Sequence, residues 1–239
     1  MGVHLVGGGF GRSAFAPFTA EAQAFASAQG AATPRVAVVT VREDADPRHA
    51  EDLVAALTAD GAVELDTRVT TVGLTDLVDP AIFDGVDAIV IGGGLTPAYH
   101  AALEGCFDVI RAAVEAGTPY LGFSAGAMIA AESAILGGWR IDGVAVAPEE
   151  TAEDLDEITV GAGIGLVDVS VDVHVAQWGT LSRLIAATEA GAVDGGLGID
   201  ESTVLIADAQ GLRIAGAGSV WRVFPGSDGV TVSSDRAAL

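Results

Sequence analysis

Short apolar runs alternating with segments of helical period set the fold that this chain can adopt. Residues 3–6, 35–41, 63–72, 86–91 and 119–123 read as strands or contain one, and the second is rich in valine. Between them lie helical patterns. Phe18, Ala22 and Phe25 recur at helical spacing, and Gly30 follows them. Asp46-Pro47 opens a helix whose apolar face is Ala50, Leu53, Val54 and Leu57, with Gly61 behind it. Residues 97–116 are helical in pattern, and the small residues of 125–136 predict a further helix. Strands that are apolar along their whole length must be covered on both faces, which requires a mostly parallel sheet between helical layers.

The last third reads differently. Residues 146–157 form an acidic stretch expected to be an exposed loop. A helix is expected over 180–190, with Leu181, Leu184 and Ile185 on one face. Short strands then follow at 196–199, 203–207, 212–215, 219–223 and 230–232, expected to extend the sheet in antiparallel or mixed fashion. No repeat or linker divides the chain, so residues 1–239 are read as a single α/β domain of hydrolase type.

Composition excludes several functions. Asp and Glu number 33 against 11 Lys and Arg, a net charge of -22. Such a surface repels phosphate backbones and anionic lipid, so neither nucleic acid nor a membrane is an expected partner. The lone Cys106 can form no internal disulfide. The opening residues lack the pattern of a secretory signal, and no long uncharged apolar stretch is present, so a cytoplasmic location is expected. No His/Cys cluster has metal-ligand spacing, and no metal or organic cofactor is expected.

The motif that carries chemistry is Gly122-Phe123-Ser124-Ala125-Gly126, a G-x-S-x-G between an expected strand and an expected helix. Small residues two before and two after the serine let strand and helix approach, and the turn lifts the hydroxyl clear of the backbone. The Ala125 N–H then lies in the first turn of a helix without an intrahelical partner, suited to hold an oxyanion. A second donor is expected from the neighbouring strand end Gly92-Gly93-Gly94.

A nucleophilic serine needs a base, and the chain has four histidines. His4 falls inside a strand, His49 in the first turn of an expected solvated helix, and His100 on an expected helix surface. His174 ends the strand run Val171-Asp172-Val173 and is the favoured base. The carboxylate that orients it is Asp172, Asp200 or Glu201; periodicity does not choose among them.

Taken together, the Ser124 turn, the glycine-rich strand end at 92–94, Asp172-x-His174 and Gly198-Ile199-Asp200-Glu201 resemble the dipeptidase E and cyanophycinase family of serine peptidases. The late Gly216-Ala217-Gly218-Ser219-Val220 segment looks like cyanophycinase as well. The resemblance implies a three-layer α/β/α sheet of flavodoxin-like, class I glutamine amidotransferase type. It implies Ser124 as nucleophile, His174 as base and Glu201 as third member, with Gly93 or Gly94 and Ala125 around the oxyanion. It also implies a small peptide substrate, aspartyl in character, and analogy suggests a homodimer. Arg183 is then the candidate to bind a substrate carboxylate, and Asp172 to take a substrate amine or to support His174. An esterase or amidase on small acyl compounds, or a binding relative without activity, are the alternative readings.

Overall fold

The computed structural model describes residues 2–59, 61 and 63–237. The first half runs β1 (Gly2–Val6), α1 (Ala16–Ala28), β2 (Arg35–Val41), α2 (Arg48–Leu57), β3 (Asp66–Val72), β4 (Ala88–Ile91), α3 (Thr96–Leu103), α4 (Phe107–Glu115) and β5 (Tyr120–Phe123). Then come α5 (Ala125–Met128), β6 (Ser133–Gly137), β7 (Arg140–Ile141), β8 (Val144–Ala145), β9 (Thr159–Ala162) and β10 (Ser170–Val173). The chain continues with α6 (Val175–Trp178), α7 (Leu181–Glu189), β11 (Gly196–Ile199), β12 (Thr203–Asp208), β13 (Gly211–Gly216), β14 (Ser219–Gly226) and β15 (Gly229–Arg236).

Seven strands form the central sheet in the order β13-β12-β1-β5-β4-β2-β3. The five strands from β1 to β3 are parallel, and β12 and β13 add to the β1 edge antiparallel. Alternation along β2 explains the layers. Val36 and Val38 pack with Phe15, Phe18 and Leu53 of the α1 and α2 side, whereas Ala37 and Val39 face Tyr99, Leu103 and Ile110 of α3 and α4. Both faces are thus covered, as the unbroken apolar strands require.

Two expectations are corrected. The late strands do not simply extend one sheet: β12 and β13 join it, while β10, β11, β14 and β15 form a separate four-stranded sheet. The helix expected over 125–136 stops at Met128. Beyond it, the Ile129, Ala130 and Ala131 carbonyls accept hydrogen bonds from residues 164–167, and β6 pairs with β9. Pairing with a distant segment overrides the helix preference of the alanines.

The parallel strands β1, β4 and β5 end side by side at Val6, Ile91 and Phe123. Ligands of such sheets collect beyond this edge. No helix among the described residues is long and apolar enough to cross a membrane.

Candidate active site

Ser124 sits between β5 and α5 with φ 51° and ψ -110°, a conformation that L-residues avoid. Close packing enforces it. A methyl group on Gly122 would lie 2.3 Å from the Gly126 carbonyl oxygen, and one on Gly126 would lie 2.3 Å from that of Ile91. Both glycines of the motif are needed for strand and helix to meet.

The Ser124 Oγ lies 2.8 Å from His174 Nε2, and His174 Nδ1 lies 2.8 Å from Glu201 Oε1. Serine and histidine are nearly buried, at 8% and 6% exposure, while Glu201 reaches solvent. His174 follows β10 in a left-handed turn and donates its backbone N–H to the Gly7 carbonyl. Its ring rests on Gly8: that residue has φ 102°, and a methyl group there would lie 2.0 Å from His174 Cε1. The glycines after β1 therefore make the floor of the histidine. On the other side, the Trp178 ring stacks on the imidazole with centroids 3.9 Å apart and planes 8° from parallel. Burial pushes the His174 pKa below its ordinary value, and the hydrogen bond to Glu201 opposes that shift.

The other carboxylates have different work. Asp200 is buried and accepts from the Ser219 and Ala176 N–H groups and from Trp221 Nε1. Glu201 is held by its own N–H, which donates to Gln177 Oε1. Asp172 is fully buried and takes two hydrogen bonds from Arg183, at 2.8 and 2.7 Å. Arg183 is equally sealed, and its remaining bond runs to the Thr151 carbonyl. Asp172 and Arg183, the candidates for substrate contact, are sealed behind the cleft rather than lining it, which leaves Asp172 the alternative of a supporting group beneath His174.

What they do is fix one of its walls. Residues 149–154 line a cleft of about 560 Å³ together with Ser124, His174, Trp178, Arg42 and His49. Arg183 tethers this wall at Thr151, and Glu153 accepts the Thr96 N–H at the start of α3. Burial raises the Glu153 pKa. The acidic stretch is thus an anchored wall rather than a free loop.

His49 is a second correction. It is half-buried against Phe10 and Phe123, and its Nε2 accepts the Gly93 N–H at 2.9 Å. Desolvation, assisted by Arg42, lowers its pKa to about 4. Gly93 therefore does not offer a free N–H to the cleft. The Gly94 and Ala125 N–H groups make no hydrogen bond among the described residues. His49, Arg42 and Trp178 carried no sequence signal of a role at the site, whereas Gly8 belongs to the glycine-bearing strand end Gly7-Gly8-Gly9, which points to this edge of the sheet.

The model of peptidase family S51 matches residues 45–215. The chain belongs to peptidase family S51. This is a serine-type family, and the elbow serine is the residue expected of it. Cyanophycinases from Synechococcus elongatus and Thermosynechococcus vestitus are each 42% identical over 105 residues, 44% of this chain and 30% of theirs. That of Trichormus variabilis is 35% identical over 121 residues, 49% of this chain and 38% of its own. The matched stretch thus spans between 30% and 38% of the length of those relatives. Among solved structures, a peptidase from an acI-B1 Actinobacterium superposes with a TM-score of 0.59 at 15% identity, covering 100% of this chain and 95% of that one. A candidate peptidase E from Listeria monocytogenes EGD-e gives 0.55 at 15%, covering 91% and 98%. At that identity these two likenesses speak for the fold of this S51 member.

Proposed function

We propose that this S51 protein hydrolyses an amide bond of a small peptide through a Ser124–His174–Glu201 triad and an acyl-enzyme. The observation that carries the reading is the unbroken pair of 2.8 Å hydrogen bonds from hydroxyl to imidazole to carboxylate, beneath an open cleft. His174 removes the hydroxyl proton as Ser124 attacks the carbonyl carbon, and returns it to the leaving amine. Glu201 keeps the proton of the imidazole on Nδ1 and stabilises the imidazolium. The Ala125 N–H, at the start of α5, faces the developing oxyanion with a donor from the 93–94 strand end. Water, activated by the same histidine, then releases the acid.

A cleft of about 560 Å³ suits a short peptide. The aspartyl preference that Arg183 would have supplied has lost that support, since Arg183 is sealed beneath the wall. The guanidinium that does line the cleft is Arg42.

The test is intact-mass analysis after incubation with a small fluorophosphonate. Wild type is expected to gain one adduct, and Ser124→Ala and His174→Ala to gain none. An unreactive wild type would overturn the hydrolase reading. Asp-X dipeptides, β-aspartyl dipeptides and simple esters, assayed side by side, then assign the substrate.

A further inference from the structure

The strand end after β4 is clamped on both sides of one residue, Gly93, through the two peptide groups that flank it. The Gly93 carbonyl accepts a hydrogen bond from the Tyr99 hydroxyl at 3.0 Å and another from Arg42 Nη1 at 3.2 Å. Tyr99 is fully buried in α3. Arg42 is the second donor that keeps the Gly93 oxygen engaged. On the amide side, His49 Nε2 receives the Gly93 N–H at 2.9 Å. With a pKa of about 4, that ring stays an acceptor near neutrality.

The consequence follows from peptide geometry. No peptide bond among the described residues is cis, and in a trans unit the C=O and the next N–H point in opposite directions. Tyr99 and Arg42 draw the Gly93 oxygen to one side, so the Gly94 N–H points to the other. Gly93 lies against the nucleophile: a methyl group there would sit 2.7 Å from Ser124 Cβ. The Gly94 N–H is also without a partner among the described residues.

We propose that Tyr99, Arg42 and His49 are positioning residues: the first two hold the Gly93–Gly94 peptide in one orientation, His49 holds the Gly92–Gly93 peptide before it, and together they aim the Gly94 N–H, not that of Gly93, at the oxyanion. The inference rests on the hydrolase reading above. It explains why the site spends three side chains on one residue. Two successive glycines have the freest backbone available, and an unclamped peptide would turn over at little steric cost. A donor that is already aimed stabilises the transition state without reorganising when charge develops. Gly94 is a glycine for the same reason, because a methyl group on it would lie 2.9 Å from Arg42 Nη1 and 3.1 Å from Tyr99 Cε2.

The experiment uses the full chain with Tyr99→Phe, Arg42→Gln and the double variant. It reads the fluorophosphonate inactivation rate across pH and the affinity for an alkyl boronic acid, which makes a tetrahedral adduct with the serine. The double variant is expected to lose about 10²-fold in both, as for loss of one oxyanion donor. The midpoint of the pH limb set by His174 should stay where wild type has it. A folded double variant with wild-type rate and boronate affinity would overturn the proposal. A crystal structure of the wild-type boronate adduct decides independently of how the variants fold. A boronate oxygen on the Gly94 nitrogen is expected, and one on the Gly93 nitrogen with His49 displaced overturns it. A wild type that takes up neither reagent overturns the hydrolase reading and this proposal together. Failure of the proposal alone leaves the wild-type adduct intact.

Discussion

Three carboxylates near His174 differ only in what each one touches. Glu201 Oε1 meets His174 Nδ1, Asp200 closes hydrogen bonds to β14 and α6, and Asp172 is held by Arg183. Glu201→Gln is therefore expected to slow fluorophosphonate labelling by about 10³–10⁴-fold with little change in Tm, since the amide no longer favours the right tautomer or the imidazolium. Asp200→Asn should lower Tm and leave most of the labelling rate. The reverse pattern would exchange their roles. The same chemistry sets the pH dependence. Only neutral His174 accepts the serine proton, so the rate must rise with pH. Because the pKa is lowered from the ordinary ~6.5, the half-maximal point should fall below that value. Ser124 and His174 were legible as residues, one from its spacing and the other from its place at a strand end. Glu201 was not separable from its neighbours, because the choice depends on the turn at Ser202, where φ is 55°. His49 was misread because the amide that it accepts lies 44 residues away in sequence.

At the scale of elements, the parallel strands were legible because burial on both faces leaves an unbroken apolar run. β6 was not: residues 133–137 become a strand only because β9 lies beside them. The acidic wall was equally hidden, since its anchors are the distant Arg183 and Thr96. That anchoring makes a prediction. Arg183→Met leaves Asp172 buried without its partner and frees Thr151. Loss of about 3–5 kcal/mol is expected from urea unfolding, the usual cost of breaking a buried ion pair from one side. Asp172→Asn with Arg183→Met together should recover part of it. A single variant as stable as wild type would mean that the pair carries no such weight.

The whole molecule is dominated by charge of one sign. All 11 cationic side chains are arginines, against 33 carboxylates. Several arginines are already paired, as Arg35 with Asp87, Arg111 with Asp108 and Arg213 with Asp208. The excess of carboxylates is left to repel across the surface. Salt shortens the range of that repulsion from ~10 Å at 0.1 M to ~3 Å at 1 M. Tm measured in KCl should therefore climb as the salt is raised over this range, and a flat or falling Tm would show that self-repulsion is not limiting.

Gly8 beneath His174 has a consequence for when the serine becomes dangerous. The imidazole is 50 residues downstream of Ser124, its carboxylate a further 27, and its floor belongs to the first strand, which β12 must flank. During synthesis the hydroxyl emerges long before these parts can meet. On the proposed mechanism it is an ordinary alcohol until the late strands close on the early ones, so the nascent chain is latent by topology.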